Sequence, residues 1–132
     1  MVLVCLTACL TLVLVPAPVN AQSLPVAMTI RVNPVTSSPG GTVGVFAFVT
    51  NTSGAKLRTT ATISSLSPCG IETNLGYNKL VLNPGQTVQV TVSYPLAPDA
   101  CLGVYAVSIS VNAASGKNSS APISTTAYLT VQ

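Results

Sequence analysis

The chain has no histidine, no tryptophan and only two acidic residues, Glu72 and Asp99, in 132 positions. Without an imidazole there is no Ser-His or Cys-His nucleophile system. A glycosidase generally works with two carboxyl groups placed across the scissile bond. Glu72 and Asp99 are the one available pair; each flanks a cysteine, and nothing in the sequence makes them converge. Charged residues make up 5% of the chain, against about a quarter in an ordinary soluble domain. The net charge of +3 comes from scattered single residues, with no basic patch for nucleic acid or anionic lipid. Low charge beside abundant valine and isoleucine is the reverse of a disordered composition, and solubility is left to Ser, Thr, Asn and Gln. Ser53-Gly54-Ala55-Lys56 matches the Ser-x-x-Lys motif of serine β-lactamases, but it sits in a turn without the companion motifs and reads as coincidence. The composition therefore predicts a non-enzymatic protein with no cofactor.

Also missing is any Lys or Arg ahead of Arg31. The opening residues are apolar from Val2 to about Val15, then break at Pro16 and Pro18. That run is too short to span a bilayer and fits the h-region of a secretory signal. Val19 and Ala21 are the small residues of a cleavage site after Ala21, although the usual basic n-region is absent. The expected arrangement is a signal peptide over 1–21 and one domain over 22–132, secreted or periplasmic. Leu6-Thr7-Ala8-Cys9 offers an alternative, since it resembles a lipobox with Cys9 as the acylated residue. Apolar sequence continues past Cys9 where a lipoprotein turns polar, which favours the soluble form.

What remains is a sequence of turns and alternating segments. Ser38-Pro39-Gly40-Gly41 and Asn83-Pro84-Gly85-Gln86 each place proline where φ must be near −65° and glycine where φ must be positive, the requirement of a type II turn. Each turn runs into a period-two pattern, the signature of a half-buried strand. Val88, Val90, Val92 and Tyr94 share one face after the second turn. Val26, Met28, Ile30 and Val32 alternate likewise, as do Leu57, Thr59, Ala61 and Ile63, then Tyr105, Val107, Ile109 and Val111, and finally Ile123 to Val131. A short strand near Lys79–Leu82 is expected. Further turns are read at Asn51–Gly54, Ser67–Gly70, Ala97–Pro98 and Ser115–Ser120. No segment carries a 3.6-residue stripe. The pattern predicts an all-β fold, an immunoglobulin-like antiparallel β-sandwich of about seven strands.

In Thr42–Thr50 the alternation leaves two choices. Either Val43, Val45, Ala47 and Val49 face the core and Phe46 and Phe48 lie outside, or the reverse. In the first case Phe46 and Phe48 join Tyr77 and Tyr128 as candidate contact residues. Asn51-Thr52-Ser53 and Asn118-Ser119-Ser120 are glycosylation sequons, relevant in a eukaryotic host.

Cys5 and Cys9 lie in the leader, which leaves Cys69 and Cys101. An even pair in an exported domain predicts a disulfide, and with no histidine two thiols alone do not complete a zinc site. Gly103-x-Tyr105 at a strand start looks like a tyrosine corner, whose phenol bonds back to nearby backbone. Val107 stands where antibody domains carry their second cysteine, so the bridge is expected to staple loops and not to cross the sheets.

The stretches PGGTVGVFAFVTNTSG, LNPGQTVQVTVSYPL and GVYAVSISVNA together resemble bacterial immunoglobulin-like modules of the CARDB group, the cell-adhesion-related domain in bacteria. The likeness covers nearly all of the chain after the leader. It implies an adhesive or spacer role; protein is the expected partner, and the scattered charge and the short apolar run give the expectation of no nucleic acid and no membrane span. Two alternatives stand beside it: a carbohydrate-binding sandwich whose polysaccharide would stack on Phe46, Phe48, Tyr77 or Tyr128, and a structural subunit assembled by addition of its terminal strand.

Overall fold

The structure is a computed structural model and describes residues 24–113 and 122–132. The leader with Cys9, the Ser115–Ser120 turn and the second sequon lie outside the described residues. Eight strands follow one another: β1 (Val26–Asn33), β2 (Thr36–Ser37), β3 (Thr42–Asn51), β4 (Leu57–Leu66), β5 (Glu72–Leu82), β6 (Thr87–Pro95), β7 (Gly103–Ala113) and β8 (Ile123–Val131). They form a three-stranded sheet in the order β1-β3-β6 and a five-stranded sheet in the order β2-β8-β7-β4-β5. All pairings are antiparallel except that of the two-residue β2 with β8, which is parallel. This is an immunoglobulin-like β-sandwich, with the short β2 as the strand beyond the expected seven. Among the described residues no helix is long and apolar enough to cross a membrane.

The core is the sum of the inward faces that the alternation marks. Val43, Val45, Ala47 and Val49 of β3 are fully buried, as are Val107, Ile109 and Val111 of β7 and Leu129 of β8. Each such aliphatic side chain contributes about 1.5–3 kcal/mol relative to exposure, and β-branched residues suit the pleated surface on which they stand. The valine-in arrangement of β3 follows from its position. As the middle strand of its sheet it must cover the centre of the core, and the paired outer rows place Phe46 and Phe48 toward solvent, each half-buried.

Both Pro-Gly turns close as their residues require. Gly41 N–H donates to Ser38 O at 3.0 Å and Gln86 N–H to Asn83 O at 3.0 Å, with Gly40 and Gly85 at φ of 85° and 77°. They are not equivalent in space. The first leads into β3 at one end of the sandwich, and the second leads into β6 at the other.

The fourth expected segment differs. The strand predicted near Lys79–Leu82 runs over the whole of Glu72–Leu82. A β-bulge explains why its pattern is hard to read: Ile63 pairs with Gly76 while Ser64 pairs with Asn74, so Leu75 is an extra residue. The insertion shifts the in/out phase at mid-strand and breaks the period-two signal. Gly76 sits there because the two sheets approach closely. A Cβ at this position would lie 2.9 Å from Val92 Cγ1.

Asn51, first residue of a sequon, is fully buried. Its Nδ2 donates to Ala55 O at 2.8 Å and Leu82 O at 3.0 Å, and its Oδ1 accepts from Ser53 N–H and Ser53 Oγ, both at 2.8 Å. Its backbone adds bonds to Gln86 O and from Gly85 N–H, both 3.0 Å. The side chain thus clamps the β3–β4 connection to the end of β5, and the backbone of the same residue ties it to the second Pro-Gly turn. A buried amide already spent in this way is not a glycan acceptor in the folded protein. Asn51→Ala leaves these groups unpaired and is expected to lower stability by roughly 2–4 kcal/mol. Denaturant titration reads this as a lower midpoint at unchanged slope.

Candidate interaction surfaces

Cys69 lies in the turn between β4 and β5, and Cys101 two residues ahead of β7. They are bonded, with Cα atoms 6.3 Å apart and a separation of 32 positions in sequence. The turn presents Cys69 through short local bonds. Gly70 N–H donates to Ser67 O at 3.0 Å, and Ser67 Oγ accepts from Cys69 N–H and Ile71 N–H, both at 3.1 Å. Tyr105 completes the staple, its Oη donating to Cys101 O at 2.8 Å. The tyrosine corner is therefore anchored on the bridge itself. Burial raises the Tyr105 pKa, with Tyr94 adding to the effect and the bond to Cys101 opposing it. Tyr94 accepts from Ser65 Oγ at 3.0 Å in the interior, a link between β6 and β4 that no local sequence signal marks. A cavity of about 260 Å³ opens beside these rings, walled by Ile71, Thr73, Leu96 and Asp99 among others.

The apolar surface is concentrated at this same end. Leu66, Ala106 and Tyr128 form one cross-strand row on the outer face of the five-stranded sheet. Val104 stands one pleat further along β7, opposite Thr130, whose N–H donates to Val35 O. Ile71 and Leu102 flank the disulfide. These residues are exposed: Leu66 49%, Val104 54%, Tyr128 63%, Val35 64%, Ile71 61% and Leu102 65%. Single exposed apolar residues need no explanation, but a gathered set does. Beyond these residues β4, β7 and β8 are hydroxyl-rich on that face, with Ser108 and Thr126 hydrogen-bonded at 2.8 Å, while exposed Tyr77 and Val81 stand farther along β5.

The four aromatic candidates do not form one surface. Tyr77 and Tyr128 share the outer face of the five-stranded sheet, but β4 and β7 lie between their strands. Three strand spacings put them about 14 Å apart across the sheet. Phe46 and Phe48 belong to the opposite sheet. Phe46 lies under the Arg31 guanidinium, 5.0 Å from its ring centroid, and its ring edge covers Gly44. The patch residues Leu66, Val104 and Leu102 were not visible as a group in the sequence, because register alone brings them beside Tyr128. Among the described residues no three His, Cys, Asp or Glu side chains come together as a metal site.

No family model matches the sequence, and no curated protein matches it. Similarity appears among solved structures. The chain superposes on a CARDB domain of a Pyrococcus furiosus protein, crystallised in complex with di-metal ions, with a TM-score of 0.59 and 15% identity over 86% of this chain and 95% of that one. The fold is CARDB-like. It recurs inside larger proteins. The DNA glycosylase AlkC of Pseudomonas fluorescens gives a TM-score of 0.66 at 13% identity over 85% of this chain, and the sporulation control protein Spo0M of Bacillus subtilis gives 0.59 at 13% over 82%. The chain spans 31% of the first and 49% of the second. At these identities the shared property is the CARDB-like sandwich alone.

Two outcomes follow from the disulfide end. Reducing the bridge releases a loop constraint worth about 3–4 kcal/mol in the chain-entropy model, so the denaturation midpoint falls while the β-sheet circular dichroism persists in native buffer. For Tyr105, folding favours the neutral phenol, so its contribution is complete below the unfolded pKa of about 10 and is lost as pH rises through the higher folded value. Tyr105→Phe loses about 1 kcal/mol at neutral pH and shows a flatter decline in stability above pH 10, read from chemical denaturation at stepped pH.

Proposed function

We propose that this chain is an exported, non-enzymatic interaction module that engages a protein partner through the apolar patch at its disulfide end. The observation that carries the reading is the gathering of exposed Leu66, Val104 and Tyr128 on neighbouring strands at one end of the sheet, with exposed Val35, Ile71 and Leu102 in the connections at that end, while the outer faces of β4, β7 and β8 beyond it are rich in Ser and Thr. An aromatic and aliphatic centre with a polar surround is the composition of an interface that buries its middle and leaves a wet rim. The disulfide and tyrosine corner hold the patch residues on a rigid frame, which lowers the ordering cost of binding. Export accords with the apolar leader and with a disulfide, which persists in oxidising compartments. The absence of histidine and the scarcity of carboxylates support a recognition role over catalysis.

Polysaccharide binding has less support. Stacking on sugar needs free ring faces near one another, whereas Tyr77 and Tyr128 stand apart and Phe46 is capped by Arg31. Assembly through the terminal strand has less support at its end, where β2 already pairs with Thr130 and Val131 of β8.

Site-specific photocrosslinking tests the reading in the native host. A benzophenone amino acid at position 128 is expected to give a discrete protein adduct in the extracytoplasmic fraction. The same group at position 91, on the outer face of the other sheet, gives none. Equal adducts at both positions, or none at position 128, would count against the patch.

A further inference from the structure

The five-stranded sheet ends on β5, an eleven-residue strand paired only with β4. On the opposite side of this sheet the two-residue β2 pairs with Thr130 and Val131 of β8. A long edge strand leaves a row of backbone N–H and C=O groups without sheet partners, a template for another strand. Edge strands are usually blunted by charge and by bulges, and β5 has both: Glu72, Lys79 and the Leu75–Gly76 bulge. The two charges are placed symmetrically about the bulge.

Pairing with β4 assigns the faces. Glu72, Asn74, Tyr77 and Lys79 lie opposite Leu66, Ser64, Thr62 and Thr60, so all four stand on the outer face. In a regular strand positions 72 and 79 would point to opposite faces, because an odd separation reverses the side chain. The bulge adds one residue between them and brings both onto the same face. About a centre between Leu75 and Gly76, Glu72 is the mirror position of Lys79, and Asn74 that of Tyr77.

We propose that a second copy of this chain adds to the β5 edge, antiparallel and around a two-fold axis perpendicular to the sheet, passing between the two bulges. In that register Glu72 of each copy stands opposite Lys79 of the other, Asn74 opposite Tyr77, and each bulge faces its counterpart. Two Glu–Lys cross-strand pairs result, and the two five-stranded sheets become one of ten. The occupant is chosen by charge complementarity. The strand carries one acid and one base on its outer face, at the two places where self-pairing needs opposite signs. A register slipped by two residues separates the charges, and a slip of one sets outer against inner faces. The devices that blunt the edge toward other strands thus select its own kind. The isologous contact closes as a dimer and leaves no further β5 edge.

The contact adjoins the patch assigned above to a protein partner at Leu66, which stands opposite Glu72, and at Ile71 beside it, but Val104 and Tyr128 lie two and three strands away from the edge. Sedimentation equilibrium of the oxidised protein over a wide concentration range tests it, with wild type, Lys79→Glu, Glu72→Lys and the double exchange compared at low salt. Wild type is expected to show a monomer–dimer equilibrium. Each single substitution turns both cross-strand pairs into like-charge contacts and lowers the association constant about tenfold or more. The double exchange restores it, because opposite charges face each other again. Both positions are exposed, and an unchanged thermal midpoint in all variants separates assembly from folding. A wild type that stays monomeric at every concentration overturns the proposal. So does a dimer indifferent to the single substitutions, or a double exchange no tighter than either. Crosslinking from position 128 is read independently, so a failure of one proposal leaves the other standing.

Discussion

Two sheets hold their inner faces together by excluding water from rows of valine, isoleucine and leucine, and every other feature of the molecule is arranged around that dry layer. With β3 supplying Val43, Val45, Ala47 and Val49 and β7 supplying Tyr105, Val107, Ile109 and Val111, the two central strands contribute a face each. The alternation that makes one side apolar leaves the other side free of any packing duty. Hence the hydroxyl-rich outer face of the larger sheet tolerates exposed aliphatic residues at one end without loss of the core.

A sandwich of this kind is open at both ends, and the chain closes them by different chemistry. At one end the Asn51 amide satisfies backbone groups of the β3–β4 connection and of the end of β5, while its main chain bonds the second Pro-Gly turn. At the other the Cys69–Cys101 bridge joins two loops, and Tyr105 fastens the second of them to its own strand. The hydrogen-bonded end relies on complete pairing of a buried polar group, and the covalent end on restricting the unfolded chain. The apolar patch stands at the covalent end, where the supporting loops are held most firmly.

The two sheets also differ in what they offer. The smaller sheet keeps its aromatic residues occupied: Phe46 covers Gly44 and lies against Arg31, an arrangement that fills space left by the glycine and protects the middle strand. The larger sheet leaves its outer-face aromatic residues, Tyr77 and Tyr128, uncovered and ends on a bulged, charge-bearing strand. Both proposed contacts therefore fall on the larger sheet, one at its disulfide end and one at its β5 edge.

Period-two valines, two Pro-Gly turns and a lone cysteine pair were enough to specify the fold class, the inward residues of most strands and the loop staple, because each is a local rule with a local cause. Gly103-x-Tyr105 likewise announced its backbone bond. Tertiary structure decided the rest. Which face of β3 turned inward depended on its place between β1 and β6; the length of β5 was masked by a bulge that breaks the pattern; and a residue in a glycosylation motif proved to be a buried clamp. Above all, Leu66, Val104 and Tyr128 come from three strands far apart in the chain. Only hydrogen-bond register places such residues side by side, and register is set by the packing of all strands together.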